Sequence, residues 1–299
     1  SSAASDVDKR QVVSWGQKEN GGDSAAVAGQ LADVAEVFSN TFAFAALRAD
    51  GAVVTWGNAS LGGNSAAVAA SLDGTVDVTG VFATSTAFAA LRADGSVVTW
   101  GQKSNGGGSA AVAAALDGTV DVVSIASTMS AFAALRQDGS VATWGFEAFG
   151  GDSSAVATQL SGTMPVVGLA GSGSAFAALR QDGSVVTWGN AGDGGDSTAV
   201  AASLNGTVDA IGLAATTSAF AAIRADGSVV TWGANEGGGN SAAVAAQLNG
   251  TTDVVGLAAT DQAFAARRAD GSVVAWGNAA SGGSTAAVAT ALDGTVDVV

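Results

Sequence analysis

Histidine, cysteine and tyrosine are absent from this 299-residue chain, and proline occurs once. Without histidine or cysteine there is no Ser-His-Asp or Cys-His catalysis and no imidazole or thiolate metal site. Cations are scarce too: 11 Lys and Arg face 26 Asp and Glu, a formal charge of −15. Phosphate contacts need clustered Lys and Arg, so naked nucleic acid is an unsuitable partner. No apolar run approaches the ~18 residues of a membrane-spanning helix. Residues 1–10 have neither the charged nor the apolar region of a signal peptide. The first residue is not Met, which we read as a processed product, an excised domain or an engineered fragment. Zero cysteine fits a reducing compartment or a thiol-free surface protein; of the two, a secreted or cell-surface setting is favoured.

What is abundant is Gly, 43 residues of it, within a chain that is 48% hydrophobic and 12% charged. That is too apolar for disorder and long enough for a large core. The seven tryptophans, Trp15, Trp56, Trp100, Trp144, Trp188, Trp232 and Trp276, are spaced by 41 and then repeatedly by 44 residues. Each is followed by Gly, and Phe44, Phe88, Phe132, Phe176, Phe220 and Phe264 lie twelve residues before the last six. A fixed period of this length marks a stacked repeat architecture.

Within one unit, the β-branched stretch 76–82 predicts a first strand and 87–92 a second. Asp94-Gly95 supplies a tight hairpin turn, and 96–100 a third strand with Val98 and Trp100 on one face. After the Gly-rich loop 101–108, the segment 109–116 is ambiguous. Its alanines favour a short helical turn, while Val112 and Leu116 would also share a strand face. Three antiparallel strands plus an outer element cannot bury both faces alone, so the units must stack. The expectation is an all-β, seven-bladed β-propeller spanning 1–299 as a single domain, with an open solenoid as the competitor. Seven intervals at these spacings exceed the chain by only a few residues. Closure would then mix the ends, with 295–299 as a first strand and 3–7 as a second.

The stretch Ala87-Phe-Ala-Ala-Leu-Arg-Ala-Asp-Gly-Ser-Val-Val-Thr-Trp-Gly101 resembles the regulator of chromosome condensation repeat. So does the glycine six residues past each Trp: Gly21, Gly62, Gly106, Gly150, Gly194, Gly238 and Gly282. The resemblance implies a seven-bladed propeller. It departs from the family at Ala43, Ala87, Ala131, Ala175, Ala219 and Ala263, where a His is usual, and in the loop, where Gly-Gly replaces Gly-Gln-Leu-Gly. Nucleotide exchange and histone contact belong to members with basic surfaces, which have no counterpart here.

The recurrent residues read as structure: Trp and Phe as packing between blades, and Arg48, Arg92, Arg136, Arg180, Arg224 and Arg268 as partners of the turn Asp two residues on. Asp23, Asp152 and Asp196 in Gly-Gly-Asp-Ser read as caps of the following segment. What varies between units is the four positions after Trp-Gly, and binding residues concentrate on loops held by a rigid scaffold. Lys18, Glu19, Leu61, Lys103, Phe146, Glu147, Phe149, Asp193 and Glu236 are therefore the candidate partner-binding residues. Phe146 and Phe149 lead the set, because no other loop carries an aromatic. The reading is a non-enzymatic interaction or structural module within a larger assembly or surface protein. It has a protein partner, no cofactor or metal, no nucleic acid and no membrane insertion. A carbohydrate-binding propeller and a small-GTPase exchange regulator are the alternatives.

Overall fold

The computed structural model describes residues 12–295. It divides into two compact units. The first runs to Ile125 and adds Met129–Phe132 and Trp144–Phe146; the second holds Ala126–Thr128, Ala133–Thr143 and everything from Glu147. In the first, β1 (Val34–Ser39), β2 (Ala43–Arg48) and β3 (Val53–Gly57) form one antiparallel sheet. Strands β4 (Val78–Ala83), β5 (Ala87–Arg92) and β6 (Val97–Gly101) form the next. The strands β7 (Val122–Ser127), β8 (Ala131–Arg136) and β9 (Val141–Gly145) make a third sheet, its residues assigned partly to each unit. The second unit adds β10 (Val166–Gly171), β11 (Ala175–Arg180) and β12 (Val185–Gly189), then β13 (Ala210–Ala215), β14 (Ala219–Arg224) and β15 (Val229–Gly233). It ends with β16 (Val254–Ala259), β17 (Ala263–Arg268) and β18 (Val273–Gly277).

Six three-stranded sheets thus occur among the described residues. A seventh repeat contributes residues 12–31, where Ser14 and Ser24 share a hydrogen bond of 2.8 Å equivalent to that of Thr99 with Ser109. Of the segments expected to complete that blade, 3–7 and 295–299, all but residue 295 lie outside the described residues. No helix among those described is long and apolar enough to cross a membrane.

The second strand lies where the sequence places it. The first begins two residues late, at Val78, because the preceding backbone has another partner. The Val78 amide donates to Gly51 O of the previous hairpin (3.0 Å), and Asp77 O accepts from Ala93 (2.8 Å). A bulge between Val78 and Gly80 follows and recurs at the same place in the sheets that open with β1, β10, β13 and β16; such bulges increase local twist. The ambiguous segment is helical: Ala110–Ala115 forms 3₁₀ turns that kink at Val112 (φ −119°, ψ +16°), the alanines around it favouring the helical state. Leu116 beyond it is buried, and its carbonyl accepts from Val97 at 2.9 Å, tying the outer element to β6.

The alanines are explained by an asymmetry of the sheet faces. Ala43 and Ala45 of one middle strand pack with Phe88, Ala90 and Trp100 of the following sheet. Ala175 and Ala177 meet Phe220, Ala222 and Trp232 in the same way, and Ala219 and Ala221 meet Phe264, Ala266 and Trp276. With side chains alternating between faces, each sheet offers a small-residue face to the aromatic face of its successor. The rings pair across the hairpin: Phe88 opposes Trp100, centroids 5.3 Å apart.

A glycine completes the interlock. Trp100 Nε1 donates to Gly62 O at 3.0 Å, and the same bond joins Trp56 to Gly21, Trp144 to Gly106, Trp188 to Gly150, Trp232 to Gly194 and Trp276 to Gly238. Gly62 has φ +110°, a conformation that suits glycine, and a Cβ there would lie 2.7 Å from the Phe88 ring. These six tryptophans are 3–5% exposed, so they are packing elements and not a stacking platform for sugars.

Gly106→Ala combines a φ of +104° with a Cβ 2.5 Å from Phe132. Left-handed strain of ~1–2 kcal/mol and overpacking of ~1–3 kcal/mol predict a loss of roughly 2–5 kcal/mol in denaturant unfolding. Gly212→Ala, with nothing within 4 Å of its Cβ, should be neutral or stabilising by up to about 1 kcal/mol.

Candidate functional site

Every loop after a Trp-Gly pair is built alike. The Gly takes a positive φ, as at Gly101 (+103°), and one 3₁₀ turn follows. Lys18–Asn20, Ala59–Leu61, Lys103–Asn105, Glu147–Phe149, Ala191–Asp193, Asn235–Gly237 and Ala279–Ser281 are those turns. A side chain from the first-to-second strand connection pins the last carbonyl of the turn. Thr84 Oγ1 donates to Asn105 O (2.9 Å), Thr128 Oγ1 to Phe149 O (3.0 Å), Ser172 Oγ to Asp193 O (3.0 Å) and Asn40 Nδ2 to Leu61 O (2.7 Å). The backbone is thus constant while the side chains differ.

All nine candidates sit on or beside these turns. Lys18, Glu19, Lys103, Glu147 and Glu236 are exposed, and Phe146 is 46% exposed. Leu61, Phe149 and Asp193 are half-buried. Asp193 is turned toward its own hairpin, where Ser174 Oγ donates to its carboxylate. Phe146 and Phe149 therefore differ: the first stands out toward solvent, and the second is partly covered.

The loop ends hold their own polar contacts. Asp23, Asp152 and Asp196 accept from the amides two residues on, at 2.9, 2.8 and 2.9 Å, which are the Asx-type caps read from the sequence. Lys18 Nζ reaches Asp23 Oδ2 at 2.9 Å. That hydrogen bond and charge raise the Lys18 pKa, and with the Ala25 amide they lower that of Asp23. In the second unit, Glu147 and Asp152 line a groove of about 500 Å³ with Ala155, Val156 and Trp188. The Ser154 amide and hydroxyl hold the Asp152 carboxyl below the usual carboxylate range. Sequence reasoning treated Asp152 only as a cap; what signals more is its position eight residues past Trp144, where Asp23 follows Trp15.

At the hairpin turns the arginines are taken. Arg92 Nη1 lies 3.3 Å from Asp94 Oδ2, and the equivalent pairs span 3.0–3.8 Å. A further set of aspartates, just ahead of the first strands, packs on the preceding turn: Asp77 occupies the space beside Gly51, Asp121 that beside Gly95, Asp209 that beside Gly183 and Asp253 that beside Gly227. Pro165 fills the same position beside Gly139. Among the described residues no group of three or more carboxylates could hold a metal ion.

These repeated sheets define a propeller-like class of repeat protein. No family model matches the sequence, and no curated protein matches it. Among solved structures, Prp20p from Saccharomyces cerevisiae, studied for its binding to Gsp1p and histones, is 15% identical with a TM-score of 0.50. The match covers 89% of this chain and 82% of Prp20p. Yeast RCC1 (Prp20) bound to Kap60 is 15% identical, with a TM-score of 0.49 over 85% of this chain and 72% of the other. The ectodomain of the receptor kinase CR4 from Physcomitrella patens is 17% identical, TM-score 0.48, over 82% of this chain. The chain spans 62% of that ectodomain's length. The fold is therefore similar to that of the regulator of chromosome condensation propellers, in agreement with the Trp-Gly repeat; at these identities the likeness is one of fold alone.

The turn carboxylates give the protein an acid dependence. Asp94, Asp138, Asp182, Asp226 and Asp270 have lowered pKa values, first through the hydroxyls of Ser96, Ser140, Ser184, Ser228 and Ser272, and also through those residues' amides and the neighbouring Arg. A carboxyl depressed in the folded state stabilises it above the unfolded pKa, and that contribution is lost as pH falls through the folded pKa. Replacing the five serines by alanine should lower Tm at neutral pH and narrow the Tm difference between neutral and strongly acidic buffer. An unchanged difference by calorimetry would mean that these carboxylates do not set the acid dependence.

Proposed function

We propose that the chain is a non-enzymatic, rigid interaction module whose protein partner docks on the post-Trp loops, with Phe146 and Phe149 as apolar anchors. The observation that carries this reading is the contrast within each loop. The backbone is pinned by a hydrogen bond from the sheet, while the side chains on it differ from repeat to repeat. Rigid loops with variable side chains suit recognition, because little ordering entropy is lost on binding. The 46% exposed ring of Phe146 is the kind of aromatic enriched at binding hot spots. The test is capture of the partner on the native chain. Phe146→Ser should change stability by less than about 0.5 kcal/mol, and Phe146→Ser with Phe149→Ser should weaken capture at least ~10-fold, about 1.4 kcal/mol. Undiminished capture by the double variant would remove the loops from the interface.

The scaffold of this reading is a single seven-bladed propeller over residues 1–299, closed through both ends of the chain. Its support is an indole and a glycine that, among the described residues, lack the neighbours their counterparts have. Trp15 is 85% exposed where its six counterparts are buried. A Cβ on Gly282 would meet nothing within 4 Å, where one on Gly238 would strike Phe264. Deleting residues 293–299 should destabilise a closed ring cooperatively, since it opens a sheet edge. In an open solenoid the same deletion trims one end and leaves most of the unfolding transition intact.

A further inference from the structure

Four Asn-Gly pairs occur in the sequence: Asn20-Gly21, Asn105-Gly106, Asn205-Gly206 and Asn249-Gly250. Glycine leaves the backbone nitrogen after asparagine unhindered, so each pair is a place where that nitrogen can attack the side-chain amide. The fold divides them two against two. Asn20 and Asn105 end the 3₁₀ turns of post-Trp loops. Their side-chain nitrogens donate to Gln17 (3.0 Å) and to Thr86 and Gln102 (3.0 and 3.2 Å). The glycines after them are buried; the Gly21 amide donates to Lys18 O (3.3 Å), and Thr84 Oγ1 holds Asn105 O. Asn205 and Asn249 are exposed instead, in Leu-Asn-Gly-Thr turns between an outer 3₁₀ helix and the first strand that follows. Their Oδ1 atoms accept from the amides of Thr207 and Thr251, both at 2.9 Å. Among the described residues nothing holds their side-chain nitrogens.

We propose that Asn205 and Asn249 are sites of spontaneous deamidation, and that the folded chain carries aspartate in their place without loss of structure. The hydrogen bond from Thr207 closes a ring that holds both the Gly206 nitrogen and Asn205 Cγ, so imide formation is a bond made across that ring. The Thr207 N–H also points at the oxygen on which negative charge develops. The Gly206 nitrogen bonds to Cγ and gives its proton to water; the Cγ–Nδ2 bond breaks and ammonia leaves. Water then opens the cyclic imide at one of its two carbonyls, leaving aspartate or isoaspartate. Asn249 and Gly250 repeat each step with Thr251. The aspartate product is already built elsewhere in the chain. At the same turn Asp73, Asp117 and Asp293 accept from Thr75, Thr119 and Thr295 at 2.8, 2.8 and 2.9 Å. The glycines there have φ +85°, +81° and +86°, against +80° and +82° at Gly206 and Gly250. The Thr75 hydroxyl and amide hold the Asp73 carboxyl below the usual carboxylate range, and the Arg92 charge adds to this. Arg224 and Arg268 stand at the matching positions after Asn205 and Asn249. Each conversion adds one negative charge to a chain already at −15.

The test is peptide mapping by mass spectrometry after the whole chain has aged in mildly alkaline buffer, folded and, in parallel, unfolded in urea. In the folded chain, conversion at positions 205 and 249 should run at least ~10-fold faster than at 20 and 105. In urea the four pairs share the same chemistry, and their rates should converge. Asn205→Asp with Asn249→Asp should keep the unfolding transition of the fresh chain and migrate with its aged, more acidic form on isoelectric focusing. Equal rates at the four pairs in the folded chain, faster conversion at 20 or 105, or no conversion at 205 or 249 would each overturn the proposal. The same ranking in urea would overturn it too, since the turn would then not be its cause. So would a lowered Tm of the double aspartate variant, since the product would then not fit the turn.

Discussion

The architecture depends on one contact made between consecutive repeats: an indole N–H on a glycine carbonyl, beneath a phenylalanine ring. Trp100, Gly62 and Phe88 make it with no slack, since a Cβ on that glycine would overlap the ring. Burying a tryptophan removes ~150–250 Å² from water, roughly 4–6 kcal/mol gross at ~25 cal/mol/Å². The hydrogen bond adds only ~1 kcal/mol net, but without it a buried carbonyl would be left unpaired. Stability therefore comes from neighbour-to-neighbour terms, as in other repeat proteins.

That constraint explains what may not vary. The glycine six residues past each Trp closes a 3₁₀ turn in the left-handed conformation and must also lack a side chain. The alanines on the opposite sheet face stay small so that the next aromatic pair can approach. Charge at the hairpin turns is settled locally, with Arg48, Arg92, Arg136, Arg180, Arg224 and Arg268 each on its own turn aspartate and five of those aspartates on a serine. What is left free is the outward side chains of the post-Trp loops, and individual character collects there.

Much of this was legible in the residues. The strand 87–92 and the Asp-Gly turns follow from an apolar run and turn chemistry, and the 44-residue period implies stacking. The first strand starts two residues later than the residues suggest because the Val78 amide bonds Gly51 of the previous hairpin, a partner outside its own unit, while the Asp77 carbonyl is taken by Ala93 in the turn of its own repeat. The helical nature of 110–115 is not decided by its residues, since alanine and two apolar residues four apart suit both states. The candidate loops were found through their variability, yet exposure along them was not: Phe146 is open, Phe149 is partly covered and Asp193 turns inward to Ser174.

Periodicity, turn residues and the missing histidine and cysteine belong to the chain itself. They establish the repeat, the all-β character and the kinds of chemistry excluded, because each is a property of local composition and spacing. Which tryptophans are covered, which carboxylates share a groove and which charges stay unpaired are decided only when one repeat packs on the next. Asp23 and Asp152 stand at the same place in their repeats and cap the same turn. One is neutralised by Lys18 and the other faces a groove with Glu147. That difference depends on the reach of side chains across the loop and on the surface of the adjoining repeat, which spacing along a sequence does not encode.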